Sequence, residues 1–268
     1  MRAWVPHQVR GQTVSAYYNE IDPYAAQWLR NLIAAGHIAA GEVDTRSIVD
    51  VRPDDVRGFT QCHFFAGIAG WAYACRLAGW PDDRPIWTGS CPCNPFSIAG
   101  RGLGAADERH LWPAFFDLIR ACRPSVVMGE QVEDAIAHGW LDEAFDDMEA
   151  ENYSCRSVVL PACSVKAPHK RDRIWFVAYT SGNGCKGLQH GSLPQIPENR
   201  SSETLAPWNS FGDPFSDWEK LLAGTEVRRL DDGVSSSLAV RPALRCYGNA
   251  IVPQVAAEVI GAFMECRP

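Results

Sequence analysis

Short apolar runs alternate along this chain with stretches whose apolar residues recur every three to four positions, and that alternation restricts the fold more than any other feature. Residues 14–22, VSAYYNEID, read as a strand ending in acids, and 23–36, PYAAQWLRNLIAAG, as a helix. Asp22 can cap that helix and Pro23 suits its first turn. Ala25, Trp28, Leu29, Leu32 and Ile33 make an apolar face, and Gly36 can stop it. QCHFFAGIAGWAYACRLAGW then gives a buried strand, a glycine turn and a helix, and PIWTGSCPC a further strand. ERHLWPAFFDLIRACRP reads as helix, SVVMGEQV as strand, WLDEAFDDMEAEN as helix, and SVVL and RIWFVAY as strands. Such alternation predicts an α/β fold whose mainly parallel sheet is covered on both faces. From about residue 180 to 238 the composition turns to Gly, Ser, Pro, Asn and charge, which marks an insertion or small irregular subdomain. A helix returns in NAIVPQVAAEVIGAFMEC, where Val252, Val255, Ala256, Val259, Ile260 and Phe263 line one side.

With 268 residues, 46 % hydrophobic and 21 % charged, the chain can bury one full core and carry a small insertion. No apolar run approaches the roughly 18 residues of a membrane span, and MRAWVPHQVRGQ lacks the apolar segment of a signal peptide, so a cytoplasmic protein without membrane contact is expected. The ten cysteines are scattered at irregular spacings and read as reduced thiols, and no Cys or His pairs stand at zinc-finger spacing, so no metal is expected. A net charge of −7 argues against indiscriminate nucleic-acid binding but allows a local basic cleft, for which KAPHKRDR, residues 166–173, is a candidate.

In a parallel α/β sheet, ligands gather outside the carboxyl ends of the strands. Glu20 and Asp22, Gly67 to Gly70, Cys93 and Glu130 follow predicted strands, and Arg171 and Arg173 lead into another. Gly67 and Gly70 in FAGIAGW suit either a bare strand-to-helix turn or a close approach of ligand to backbone. Glu20 can accept hydrogen bonds from ribose hydroxyls, or simply favour the dipole of the helix that follows. Cys93 lies in a polar turn between Pro92 and Pro95, unlike a core cysteine. Its thiol becomes a nucleophile if positive charge, such as that of Arg171 and Arg173, lowers its pKa from about 8.5. Glu130, after the apolar VVMG, should meet a low-dielectric wall that raises its pKa, and a salt bridge to an arginine is compatible with that.

Together these pieces resemble the cytosine-5 DNA methyltransferase family. FAGIAGW looks like its cofactor turn, PCNPFS like its nucleophile loop, GEQV like its Glu-Asn-Val strand end, HKRDRIWFV like its Gln-x-Arg-x-Arg segment, and YGNAIVPQVAAEVIG like its closing Gly-Asn helix. The resemblance implies a Rossmann-like class I methyltransferase fold, S-adenosylmethionine as methyl donor, double-stranded DNA as partner and a monomer. It implies a catalytic and cofactor-binding domain over 1–178, a short target-recognition insertion over 179–243 and a closing helix over 244–268. Only about 20 residues separate Gly70 from Cys93, too few for the family's ribose strand. NEIDPYAAQWLRNL resembles that ribose-binding strand and helix, and GEVDTRSIVDV the next acidic turn, which implies a circularly permuted order with cofactor elements two and three ahead of element one.

On that alignment Glu20 binds the ribose, Ile21 packs on adenine, and Asp44, with Glu42 as rival, accepts from the adenine amino group. Phe65, Gly67 and Gly70 hold the methionine part, and Asn249 closes the site. Cys93 adds to cytosine C6, Glu130 bonds N3, and Arg173, with Arg171, holds O2 and orients the cysteine. Asn94, Ser97 and Arg101 fall to the DNA, with the glycine-rich GRGLGAADERH as a closing loop. The chain departs from the family pattern at Asn94, Gln131, His169, Ala69 and Ala250, and the first two alter the surroundings of Cys93. A relative acting on RNA, and a nucleic-acid-binding relative with little turnover, are the alternatives.

Overall fold

The computed structural model describes residues 8–9, 12–13, 15–92, 111–167, 171–180 and 249–266, the first two pairs as backbone only. Two-residue strands β1 (Gln8–Val9) and β2 (Gln12–Thr13) pair antiparallel. Seven further strands make the main sheet: β3 (Ala16–Asn19), β4 (Gly41–Asp44), β5 (Gln61–Phe64), β6 (Ile86–Gly89), β7 (Val126–Val132), β8 (Tyr153–Pro161) and β9 (Asp172–Thr180). Their order is β4-β3-β5-β6-β7-β9-β8. The first five run parallel, and β9 lies antiparallel to both β7 and β8. Proximity groups Met1–Gly182 with Arg245–Pro268 as one unit and Asn183–Leu244 as a second, which lies outside the described residues.

The first helix, α1 (Pro23–Ala35), is bounded by the residues that the sequence singles out, and two four-residue helices, α2 (Pro53–Val56) and α5 (Asp134–Ala137), lie further along the chain. Asp22 Oδ1 accepts from the Tyr24 and Ala25 amides at 2.9 and 3.2 Å, and Gly36 takes a left-handed φ of 76°. GEVD, inside the segment likened to an acidic turn, extends as edge strand β4, and the chain turns only from Thr45 onward. Gly41 permits this pairing, because a Cβ there would collide with the Ala16 carbonyl of β3.

Period-two alternation splits the sheet's side chains between two cores. On one face Tyr17, Phe64, Trp87, Val127 and Phe176 pack against α4 (Trp112–Cys122) and α6 (Trp140–Ala150) through Trp112, Phe115 and Trp140. On the other, Ile86, Met128, Trp175 and Val177 meet α3 (Gly70–Leu77) and α7 (Pro253–Cys266) through Trp71, Cys75, Val255 and Ile260. Both faces are therefore covered, as the buried runs VVMG and IWFV require. Among the described residues no helix is long and apolar enough to cross a membrane.

Strand order fixes where a ligand can bind. From β3 the chain steps outward to β4, then returns past β3 to β5 and continues through β6 to β7. The reversal opens a crevice between the carboxyl ends of β3 and β5.

One buried group makes stability depend on pH. His63 is 1 % exposed, stacks on Tyr18 with ring centroids 5.2 Å apart, and has Nδ1 2.8 Å from Thr88 Oγ1 and Nε2 3.4 Å from Gln61 Oε1. Burial lowers its pKa from 6.5 to about 3. Between those values the unfolded chain takes up a proton that the folded chain refuses, so stability falls as pH drops through this window. The fall is about 1.4 kcal/mol per pH unit from this group. Urea denaturation between pH 6.5 and 5 should show a steeper loss of stability in the wild type than in His63→Gln, which keeps polar contacts without titrating. Equal slopes would show that His63 is not held neutral.

Candidate active site

A cleft of about 630 Å3 lies over the strand-order reversal, within the roughly 300–1,000 Å3 typical of small-molecule sites. Glu20, one residue beyond β3, reaches across to the turn that follows β5. Its Oε2 accepts from the Gly67 amide at 2.7 Å and its Oε1 from the Asp22 amide at 2.8 Å. An ionised carboxylate offers about four acceptor positions, so Glu20 keeps capacity for hydroxyl donors. Beside it the Ile21 side chain is 64 % exposed on the cleft wall, a placement that favours an apolar planar ligand.

The FAGIAGW turn is tightly wound: Phe65, Gly67 and Ala69 have φ of 51°, 54° and 75°. Gly67 carries the left-handed conformation without penalty. At Gly70, the first residue of α3, a Cβ would stand 2.5 Å from Ile251 Cγ1, so its absence lets the carboxyl-terminal segment press against the turn. Arg171 holds the same segment from the other side, its Nη2 donating to the Ala250 carbonyl at 3.0 Å. Asn249 is exposed and lines the cleft next to this clamp.

The far end of the cleft carries the acid. Glu130 sits inside β7, opposite Trp175 of β9, while Arg173 of β9 stands opposite Val132. Glu130 and Arg173 are thus diagonal neighbours on one face of an antiparallel pair, and Arg173 Nε meets Glu130 Oε1 at 2.7 Å. Glu130 is 7 % exposed. Burial raises its pKa, and the Arg173 and Arg171 guanidiniums and the Ser90 hydroxyl only partly offset this. A carboxyl so placed takes up a proton more easily than a solvated one, and its protonated form can donate as well as accept.

The loop after β6 enters the cleft through Cys91 and Pro92. The Cys91 thiol is buried and its pKa pushed well up by burial, which makes it inert. Gln131 secures this loop: its Nε2 donates to the Cys91 carbonyl at 3.3 Å, and its Oε1 accepts from the Val132 amide at 2.9 Å. Cys93, Asn94, Ser97 and Arg101 lie outside the described residues, as does His169.

The cleft therefore brings together Glu20, Ile21, Phe65, Gly67, Gly70, Glu130, Arg171, Arg173 and Asn249. Asp44 and Glu42 are not among its lining residues. Asp44 instead accepts from Tyr17 Oη at 2.7 Å and pairs with Arg46 Nη2 at 2.6 Å. Burial opposes its charge, but the hydrogen bonds from Arg46 and Tyr17 outweigh that and hold its pKa below the usual carboxylate range. Ser47 and Ile48 line the cleft near that strand end, and Ser90 and Trp71 line it near Glu130. None of these four stands out in the sequence, since each is an ordinary residue beside a motif. Among the described residues no cluster of His, Cys, Asp and Glu suits a metal ion.

Comparison with known proteins gives a concordant picture. A family model described as C-5 cytosine-specific DNA methylase matches residues 79–220, more than half of the chain. The Type II methyltransferase M.AplI of Arthrospira platensis is 31 % identical over 105 residues, covering 38 % of this chain and 30 % of that protein. M.HhaI of Haemophilus parahaemolyticus is 31 % identical over 113 residues, covering 40 % and 34 %. The chain thus spans about a third of the length of the curated relatives it matches. Among solved structures, a Spodoptera frugiperda DNMT2 variant superposes with a TM-score of 0.45 at 14 % identity, covering 69 % of this chain and 47 % of its own.

The tight turn carries a measurable strain. Ala69 holds a φ of 75° at the start of α3, a conformation open to glycine but costly for a residue with a Cβ. Ala69→Gly should raise stability by about 1 kcal/mol, read as a higher urea midpoint with an unchanged slope. A lower midpoint would show that the Ala69 methyl, 2 % exposed, contributes more by packing than its backbone loses by strain.

Proposed function

Because this chain belongs to the C-5 cytosine-specific DNA methylase family, we propose that it transfers a methyl group from S-adenosylmethionine to C5 of cytosine in double-stranded DNA, acting as a monomer. The observation that carries the proposal is the buried Glu130 carboxyl, paired with Arg173 in the same cleft as the Glu20–Gly67 crevice. One end of the cleft suits a nucleoside and the other suits a base whose ring nitrogen must be protonated.

The donor fits the residues present. Glu20 offers acceptor positions at a strand end, Ile21 an exposed apolar wall, and the positive-φ turn at Gly67 a backbone with open space above it. Glu20 would hold the ribose, Ile21 the adenine, and Phe65 with Gly67 and Gly70 the methionine part, with Asn249 closing over it. Asp44, committed to Arg46 and Tyr17, would act on adenine indirectly by fixing the turn that carries Ser47. When bound, S-adenosylmethionine supplies an electrophilic methyl group on a sulfonium.

The protein's own groups activate the other reactant. The Cys93 thiolate adds to C6, which moves electron density toward C5, while the Glu130 carboxyl holds a proton at N3 and stabilises the resulting enamine. Arg173, placed by its bond to Glu130, faces the base O2, and Arg171 adds positive charge beside it. C5 is then the carbon that accepts the methyl group. Transfer of its proton to a water acting as base, with departure of Cys93 as thiolate, restores the aromatic ring, and S-adenosylhomocysteine would be the other product. Since C5 and C6 are shielded inside a duplex, the base must be flipped out at a cost of a few kcal/mol. Asn94, Ser97 and Arg101, beyond the nucleophile, would meet the DNA there. Recognition of the target would fall to residues 179–243, between the catalytic domain at 1–178 and the closing helix at 244–268.

A circular permutation belongs to the same reading. It is supported by the sheet order, in which the first two strands of the main sheet, β3 and β4, stand on the far side of β5 from β6.

The test is covalent trapping. With S-adenosylmethionine and duplex DNA containing 5-fluorocytosine, the wild type should form an adduct that survives denaturation, and Cys93→Ala should form none. An undiminished adduct in Cys93→Ala would remove Cys93 from its role. No adduct with DNA but one with an equivalent RNA would move the substrate to RNA.

A further inference from the structure

Trp71 connects the helix at the glycine turn to the buried carboxyl at the opposite end of the cleft. It is the second residue of α3, 4 % exposed, with its ring edge against Trp175 at a centroid distance of 5.5 Å. Its indole Nε1 donates to Ser90 Oγ at 3.0 Å. An indole nitrogen can only donate, so the Ser90 oxygen is the acceptor in that bond. Its hydroxyl proton is thereby directed elsewhere, and because Gly89 of β6 pairs with Gly129 of β7, Ser90 and Glu130 stand side by side in the cleft lining, which puts the carboxyl next to that proton. Glu130 Oε1 is meanwhile fixed by Arg173 Nε at 2.7 Å. A carboxyl group held by a donor on β9 and faced by another on the loop after β6 has little rotational freedom left.

We propose that Ser90, oriented by Trp71, is a positioning residue that sets the direction and the protonation of the Glu130 carboxyl. The inference rests on Glu130 acting as the partner of the base N3. Ser90 lies three residues before Cys93 on the loop after β6, so one loop carries both the nucleophile and the hydroxyl that aims the acid. Through Trp71 the arrangement also reaches α3, whose first residue is Gly70 of the glycine turn.

Loss of the Ser90 hydroxyl removes a donor that favours the charged carboxylate, leaving burial less opposed. Among the described residues the charged groups that act on Glu130 are Arg173 and Arg171, and both are retained in the variants below. A shift in the titration of Glu130 on removing the hydroxyl therefore reports on the hydroxyl itself.

Two readouts test this. Difference infrared titration of the full chain, with the carboxyl band identified by its loss in Glu130→Gln, should show a higher midpoint in Ser90→Ala than in the wild type. A smaller rise is expected in Trp71→Phe, and a return toward the wild-type midpoint in Ser90→Thr. Single-turnover methyl transfer should slow roughly ten-fold in Ser90→Ala, the effect of one hydrogen bond. Its alkaline limb should move to higher pH, and KM for S-adenosylmethionine should change little. An unmoved midpoint in Ser90→Ala overturns the proposal whether or not the rate falls, because a merely structural serine would alter rate alone. A moved midpoint in a protein whose wild type methylates nothing would uphold the contact and sink the functional reading instead.

Discussion

A carboxyl group that is 7 % exposed inside a seven-stranded sheet is the constraint on which the site depends. Burial of Glu130 is tolerable only with compensating partners, since an isolated buried carboxylate is strongly disfavoured. The antiparallel insertion of β9 between β7 and β8 supplies the first partner, because that register sets Arg173 diagonally across from Glu130 on the same face. Ser90, from the loop after β6, stands beside it through the Gly89–Gly129 pairing and is the candidate for the second. The one reversed strand that touches β7 is thus also the one that pairs its acid.

The other end of the cleft follows from a different topological fact. Strand order reverses between β3 and β5, and the acid beyond β3 meets the glycine turn beyond β5 through a 2.7 Å bond. The two ends share one wall. Ile251 packs on Gly70 and the Ala250 carbonyl accepts from Arg171, so a single piece of chain at the foot of α7 touches both the glycine turn and the residue that leads into β9.

Much of this was legible in the sequence, for reasons local to each residue. Asp22, Pro23 and Gly36 mark α1 because capping and termination depend only on neighbours along the chain. Gly67 and Gly70 mark the turn because the backbone there demands small residues. Glu130 reads as a strand-end acid because an apolar run precedes it, although β7 continues to Val132 where it pairs with β9. Long-range geometry was not legible. Arg46 and Tyr17 engage Asp44, which is not among the residues lining the cleft, and only the fold brings Tyr17 of β3 beside it. Ser90 gives no signal of its own, since its place depends on an indole 19 residues earlier and a carboxyl 40 residues later.

The central claim is that this cleft methylates C5 of cytosine, and the most direct measurement identifies the product atom. Duplex DNA incubated with the purified chain and isotopically labelled S-adenosylmethionine would be digested to nucleosides and resolved by mass spectrometry. The account predicts that the label appears in 5-methyldeoxycytidine and that Glu130→Gln, which keeps the shape of the side chain but not its acid, greatly reduces it. Label in N4-methyldeoxycytidine or N6-methyldeoxyadenosine, or full C5 labelling by Glu130→Gln, would contradict it.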